Sequence, residues 1–335
     1  MAKDVRRATL GIDIGGTKSL YALFDERFEV VAGEKLRTHP EKGGAKAFTR
    51  DLRKAVQRLM AEARARKLHV VAVGVGCAGE IDMRQGVVRS SPNIRFLADY
   101  PFRSRLEKLT GAKVFVGNDV QAGLYGEFRL GAARNARHVI GIFIGTGVGG
   151  AVIVDGRLHR GASGVAGDIG NYLVHAGSNP EQPRKDIIDN VASRTAIAGE
   201  AAALAAKRWA PKLRAKSGTD VTDIRAGDIA EAIRRGDKSV EKLVRSRAAV
   251  LGAAISNLVD FLNPDMVVLG GGLVEAMPAL IRREVRKAVE SHATAKARKA
   301  ARIRVARLHG HAVAAGAAKL AYDMFFSGDP PIRLD

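Results

Sequence analysis

The sequence predicts an α/β protein of two similar lobes that face one another across a cleft, and two stretches carry that prediction. The first is Val139-Ile-Gly-Ile-Phe-Ile-Gly-Thr-Gly-Val-Gly-Gly-Ala-Val-Ile-Val154, an apolar strand, a glycine-rich turn and a second apolar strand. The second is a near copy close to the N-terminus, Leu10-Gly-Ile-Asp-Ile-Gly-Gly-Thr-Lys-Ser-Leu-Tyr-Ala-Leu-Phe24. Aligned, Gly11-Ile-Asp-Ile-Gly-Gly-Thr17 lies over Gly141-Ile-Phe-Ile-Gly-Thr-Gly147. One such turn needs no ligand; a copy in each half of a chain signals a duplicated unit. Glycines accept positive φ and leave backbone N–H groups bare, so both turns can wrap phosphate oxygens. A nucleotide's phosphates would sit between them.

A chain of 335 residues suits two domains better than one core. With 46% hydrophobic and 27% charged residues it reads as an ordinary globular protein. No long apolar segment follows Met1-Ala-Lys-Asp-Val-Arg-Arg7, so neither a signal peptide nor a membrane span is expected. The single cysteine, Cys77, excludes an intrachain disulfide and a cysteine-rich metal site, which fits a reducing cytoplasm.

The net charge of +20 raises the question of nucleic acid. The basic residues, however, fall on the outward faces of helices. In Phe48 to Lys67 the positions Phe48, Leu52, Val56, Leu59, Met60 and Ala63 recur at helical spacing, and arginines and lysines fill the rest. Ile281 to Arg304 has the same pattern, and no aromatic residues interleave there to stack bases. The expectation is a solvated basic surface with no nucleic-acid partner, still able to attract polyanions.

In chain order, the N-terminal hairpin is followed by the basic helix. His69 to Gly76 is a buried strand, ending in Cys77-Ala-Gly-Glu. After Ser91-Pro-Asn93 come a helix over Phe102 to Thr110 and a strand over Lys113 to Val116 that ends in Gly117-Asn118-Asp119. Polar groups just past a strand's carboxyl end lie where α/β sheets bind ligands. An N-cap for the helix beginning near Val120 is equally consistent with that dipeptide. Beyond the central hairpin, Gly161 to Asn171 is a loop carrying Asp168 and Asn171, and Asn190 to Arg208 is a long helical region. Ala248 to Leu262 is an apolar helix stopped by Asn263-Pro264. Asp265-Met-Val-Val-Leu269 is a strand running into a third glycine turn, Gly270-Gly-Gly272, and Ala312 to Phe325 is a small-residue helix suited to close packing.

Together these motifs resemble the ROK family of bacterial sugar kinases and sugar-responsive repressors, of the actin/hexokinase-like (ribonuclease H-like) superfamily. The resemblance runs over essentially the whole chain, through Gly11-Ile-Asp-Ile-Gly-Gly-Thr-Lys18, Pro92-Asn93, Gly117-Asn-Asp119, Gly145-Thr-Gly-Val-Gly-Gly150, Gly167-Asp-Ile-Gly170 and Asn263-Pro-Asp-Met-Val-Val-Leu-Gly-Gly-Gly272. It implies lobes of roughly 1–120 plus 311–326 and 121–310. It implies an ATP- and Mg²⁺-dependent, glucokinase-like enzyme, cytoplasmic and homodimeric, acting on a hexose at the 6-hydroxyl. Asp119 would be the general base. Asp13 would help position Mg²⁺ and phosphate, with Gly15, Gly16, Thr17 and Lys18 by the γ-phosphate. Gly145, Thr146, Gly147 and Gly149 would form the second phosphate loop, and Gly270, Gly271 and Gly272 would lie by the adenosine. Gly79, Asn93, Asn118 and Asp119 would line the sugar pocket.

Two departures from the family pattern bear on that pocket. A Glu-x-Gly-His run is here Asp168-Ile-Gly-Asn171, and a cysteine-rich segment is replaced by Glu181-Gln-Pro-Arg-Lys-Asp-Ile-Ile-Asp189, so no structural zinc is expected. Asp168, Asn171 and Asp189 would then hold sugar hydroxyls from a shifted pocket floor, with His175 near in sequence. Three alternatives stay open: a non-catalytic sugar sensor, a kinase of an N-acetyl amino sugar, and a kinase using polyphosphate as donor. The sensor reading is weakened because the hairpin at Leu10 leaves no room for an N-terminal helix-turn-helix.

Overall fold

The computed structural model describes residues 6–38, 43–174 and 187–332. These fall into two compact units, Met1–Asn135 with Gly156–Leu158 and Gly310–Asp335, and Ala136–Asp155 with His159–His309.

The strands of the first unit are β1 (Arg6–Ile14), β2 (Lys18–Phe24), β3 (Val30–Arg37), β4 (Leu68–Cys77), β5 (Glu80–Asp82), β6 (Val87–Ser90) and β7 (Lys113–Asn118). Those that follow are β8 (Val139–Ile144), β9 (Val148–Val154), β10 (Arg157–His159), β11 (Met266–Gly270) and β12 (Arg302–Val305). They build two five-stranded sheets, β3-β2-β1-β4-β7 and β10-β9-β8-β11-β12, with β5 and β6 as a separate hairpin. In each sheet a glycine hairpin pairs antiparallel, β1 with β2 and β8 with β9. Parallel strands then extend from its first strand, β4 and β7 in one sheet and β11 and β12 in the other. The repeat seen in the hairpins therefore extends to the whole order of both sheets.

Parallel strands covered on both faces are apolar throughout. Residues 72–77 of β4 and all five residues of β11 are buried accordingly. The helix Gly44–Ala65 buries Phe48, Leu52, Val56 and Leu59 and leaves Arg50, Arg53, Lys54 and Arg58 exposed, as its spacing requires.

The basic stretch from Ile281 to Arg304 is not one helix. The helix Pro278–His292 stops before Ala293, a short helix Ala295–Ala300 follows, and residues 302–305 are β12. Asp260 turns the chain by accepting from the N–H and hydroxyl of Thr294, at 2.9 and 2.8 Å. Ile303 and Val305 then satisfy their backbone against β11. Likewise Asn190 to Arg208 is divided at Ser193, whose Oγ accepts from the Ala196 N–H and caps the helix Arg194–Ala206.

The C-terminal helix, Ala312–Phe326, lies against β1, β4 and the helix Asp119–Arg129 with backbones in contact. A Cβ at Gly11 would stand 2.0 Å from the Ala314 carbonyl oxygen, and one at Gly74 would stand 1.8 Å from that of Ala317. At the far end of the helix Asp323 is buried and accepts from Tyr125 Oη at 2.6 Å, with Lys319 and Arg129 as its cationic partners. Breaking a buried ion pair by removing one partner costs about 3–5 kcal/mol. Asp323→Ala should lower unfolding stability by roughly that amount in urea titrations, and Asp323→Asn, which keeps an acceptor for Tyr125, should lower it less. Equal losses in the two variants would show that the charge does not matter.

Candidate active site

In the first unit, β1, β4 and β7 end side by side. Asp13 is in register with Gly76, and Cys77 with Asn118, so Asp13, Cys77, Asn118 and Asp119 are brought to one edge of the sheet. Burial pushes the Asp13 carboxyl up to about 7; the neighbouring Asp119 carboxyl adds to the rise, and the Lys35 ammonium opposes it. Burial also raises Asp119, opposed by hydrogen bonds from the Val120 N–H and from its own N–H. The Cys77 thiol is buried, raised first by desolvation and then by Asp119 and Asp13, and so stays an inert neutral group.

The capping role divides cleanly. Asn118 is the N-cap of the helix Asp119–Arg129, its Oδ1 accepting from the Val120 and Gln121 N–H groups at 2.9 and 3.1 Å. Asp119 is the first residue of the helix and receives one further bond from Val120 at 2.9 Å. Because Oδ1 of Asn118 is engaged, its amide NH₂ is the part that can donate to a ligand. The first turn lies beside Asn93: a Cβ at Gly16 would stand 3.3 Å from Asn93 Cβ, and the Gly15 N–H donates to Lys18 carbonyl oxygen. Thr17 and Lys18 are exposed at the mouth of that turn. Gly79 has φ +114, and a Cβ there would stand 2.1 Å from the Ser90 carbonyl oxygen. No other residue fits that position.

In the second unit the turn between β8 and β9 is tied down from outside. The Val148 N–H donates to Asp189 Oδ1 at 2.6 Å, and a Cβ at Gly147 would stand equally close, 2.6 Å, to the same oxygen. Gly149 pairs with Phe143 across the hairpin. The Thr195 hydroxyl donates to the Thr146 carbonyl at 2.7 Å and the Arg194 N–H to the Gly145 carbonyl at 3.0 Å. Arg194, which the sequence reading did not single out, also directs its guanidinium to the Thr146 hydroxyl at 3.5 Å. Burial and the nearby Arg225 both hold its pKa down. Only the fold brings this arginine to the turn, although its place directly after the capping Ser193 was a usable signal.

Asp168 accepts from the Gly170 N–H at 3.2 Å and from Asn171 Nδ2 at 3.1 Å, so the two polar residues of that loop hold each other at an exposed position. Gly271 has φ +88 and packs on Ile144, and Gly270 packs on the Phe143 ring. At Gly272 a Cβ would meet nothing within 4 Å, and at Gly145 only the Gly147 carbonyl oxygen at 4.0 Å. Packing does not demand glycine at those two positions, which leaves their backbone open to a ligand. His175 and the residues 181–186 lie outside the described residues. Among the described residues no group of three or more His, Cys, Asp or Glu side chains is gathered to hold a metal ion, and no helix is long and apolar enough to cross a membrane.

Two α/β units, each with a glycine hairpin at its sheet, and a pair of half-buried carboxylates beside one of them define a protein of the actin/hexokinase-like class. The profile of the ROK family matches residues 9–324, and the chain belongs to that family. It is 30% identical over 304 residues to a glucokinase of Halalkalibacterium halodurans, covering 89% of this chain and 90% of the relative. A glucokinase of Streptomyces coelicolor is 31% identical over 269 residues, covering 79% and 82%. Among solved structures, a ROK family glucokinase from Streptomyces griseus in complex with glucose and AMPPNP superposes with a TM-score of 0.78 at 31% identity, over 94% of this chain and 99% of that one.

Two predictions follow from the packing and the charges. Gly145→Ala should fold with stability near that of the parent, whereas Gly147→Ala, which drives a methyl into Asp189, should be clearly destabilised in thermal melts. Asp13 has a folded-state pKa above its unfolded value, so its contribution to stability is present at low pH and is lost as pH rises toward 7. In the absence of nucleotide, Asp13→Asn should therefore exceed the parent in stability at pH 8 and lose that advantage as pH falls toward 4. A gap that does not change with pH would contradict the assignment.

Proposed function

We propose that this chain is an ATP-dependent hexose kinase of the glucokinase kind, transferring the γ-phosphoryl group to the sugar 6-hydroxyl with Asp119 as general base. The observation that carries the reading is the Asp119 carboxyl itself: half-buried, raised by desolvation, first in its helix, with Asn118 serving as the N-cap in its place. Identity to glucokinases and to the glucokinase solved with glucose and AMPPNP supports the sugar and the donor.

A sugar hydroxyl is a weak nucleophile. Asp119 takes its proton as the oxygen bonds to the γ-phosphorus and the bond from that phosphorus to the β,γ-bridging oxygen breaks, releasing ADP. A raised carboxyl is the stronger base once ionised, so the acid limb of the rate profile should lie above the ordinary aspartate range. Gly79, Asn93 and the Asn118 amide are proposed to hold sugar hydroxyls, with Asp168, Asn171 and Asp189 as further hydroxyl ligands. Gly15, Gly16, Thr17 and Lys18 are proposed to contact the γ-phosphate, Gly145 to Gly149 with Thr146 the rest of the phosphate chain, and Gly270 to Gly272 the adenosine.

The carboxylates present suit Mg²⁺, which keeps several waters and takes one or two protein oxygens together with substrate phosphates. Asp13 would hold it, directly or through water, and its proximity to Asp119 gives two like charges that a cation offsets. Bound there, Mg²⁺ supplies charge neutralisation on the phosphates.

An ADP-release assay across glucose, mannose, fructose, N-acetylglucosamine and N-acetylmannosamine tests the reading. Glucose should turn over, and Asp119→Asn should lower kcat by about 10²–10⁴ with sugar binding retained. Preference for an acetylated sugar, or for polyphosphate over ATP, would redefine the substrate. Binding without turnover of any sugar would make the chain a sensor and overturn the proposal.

A further inference from the structure

The arginines that the sequence assigned to a solvated face are not all alike. On the helix Pro278–His292, Arg283 and Lys287 lean on Glu284, at 3.3 and 3.9 Å. Arg282 and Arg286, one turn apart, do not. With Arg298 of the next helix and Arg302 and Arg304 of β12 they line a cavity of about 410 Å³, whose single carboxylate is Glu290. Arg302 and Arg304 alternate along β12 and so project from the same face of the strand.

Among the described residues none of these five guanidiniums forms an ion pair. Arg298 donates to the Glu290 carbonyl at 2.6 Å and Arg302 to the Asp265 carbonyl at 3.4 Å, which fixes two heads without neutralising them. Other arginines of this chain do find carboxylates, as in Arg58 with Glu34, Arg89 with Asp82 and Arg247 with Glu200. Five like charges around one concavity repel one another, and a concave wall of one sign focuses potential on an anion. Guanidinium forks match phosphate oxygens bidentately.

We propose that this cavity is a binding site for an oligophosphate anion of three or more phosphates, separate from the glycine turns. Five guanidiniums against one carboxylate exceed what a single phosphate can neutralise. The lining has no aromatic side chain on which a base could stack, which argues against single-stranded nucleic acid. Arg302 is in register with Met266, at the start of β11, whereas Gly270 ends that strand. At about 3.3 Å per residue Arg302 stands roughly 13 Å from the level of Gly270 along the strand and Arg304, in register with Val268, roughly 7 Å, so the cavity lies toward the end of β11 away from the Gly270–Gly272 turn. A free polyphosphate and the triphosphate tail of a nucleotide offer the same chemistry.

The test is calorimetric titration of the full chain with inorganic tripolyphosphate at about 0.15 M salt, beside orthophosphate, ATP and the oligonucleotide (dT)₁₀. Tripolyphosphate should bind, and Arg282→Ala/Arg302→Ala should weaken it at least tenfold with the melting temperature and the KM for ATP unchanged. Glu290→Gln, which removes the one opposing charge, should tighten it. ATP binding that falls in parallel in the double variant would identify nucleotides as a source of the anion; ATP binding that stays constant would assign the site to inorganic chains. No tripolyphosphate binding, binding unaffected by the double variant, orthophosphate binding as tight as tripolyphosphate, or displacement of tripolyphosphate by (dT)₁₀ at equal concentration would each overturn the proposal.

Discussion

The first unit depends on how closely the C-terminal helix lies on β1, β4 and the helix Asp119–Arg129. At its closest points this contact is backbone against backbone. Gly11, Gly74 and Gly316 bring carbonyl oxygens to within about 2 Å of where a Cβ would be, at Ala314, Ala317 and Ala122 respectively. A contact of that kind has no rotamers to exchange, so it fixes two strands and a helix as one rigid piece. Asp13 lies one residue before the end of one of those strands, Cys77 ends the other, and Asp119 begins the helix. The carboxylates are therefore set by backbone packing several residues away, which is the support a reacting group needs from its scaffold.

The same packing creates the electrostatic character of the site. Bringing β1, β4 and β7 to a common edge strips part of the water from Asp13 and Asp119 and places Asp13 in the field of Asp119. Among the described residues neither carboxylate forms an ion pair with an arginine or lysine; Lys35 acts on Asp13 only as a field that lowers its pKa, and Asp119 is balanced by backbone N–H groups. A carboxylate neutralised by a tight cation would be a poor base. Here the capping work falls to Asn118, and the Asp119 carboxylate accepts from backbone N–H groups alone.

Much of this was legible before any coordinates. The two hairpins announced a duplication because a glycine turn between apolar strands is a local pattern, and the matching strand orders extend it to both sheets. The Asn118-Asp119 dipeptide left the N-cap undecided, since either residue can cap a helix; hydrogen-bond geometry alone gives that role to Asn118. The unbroken basic pattern from Ile281 to Arg304 hid a turn and an edge strand, because the turn is made by Asp260, over thirty residues away. The approach of Arg194 to Thr146 and the hold of Asp189 on Val148, each more than forty residues apart in sequence, were hidden for the same reason. Interactions between residues distant in sequence leave no periodic trace.

Asp189 bears on substrate choice as well. Its Oδ1 is committed to the Val148 N–H, one residue beyond Gly147, so the carboxylate holds the turn between β8 and β9 in shape. A hydroxyl reaching this side chain would have Oδ2, and a change in its position would be felt at Val148. Asp168 is similarly divided, with Oδ1 towards the Gly170 N–H and Oδ2 towards Asn171. In both cases a side chain read from the sequence as a sugar ligand also braces backbone. Substituting either one therefore changes the support of the turn as well as contact with a hydroxyl, and a loss of activity in such a variant speaks to sugar recognition only when the KM for ATP is unmoved.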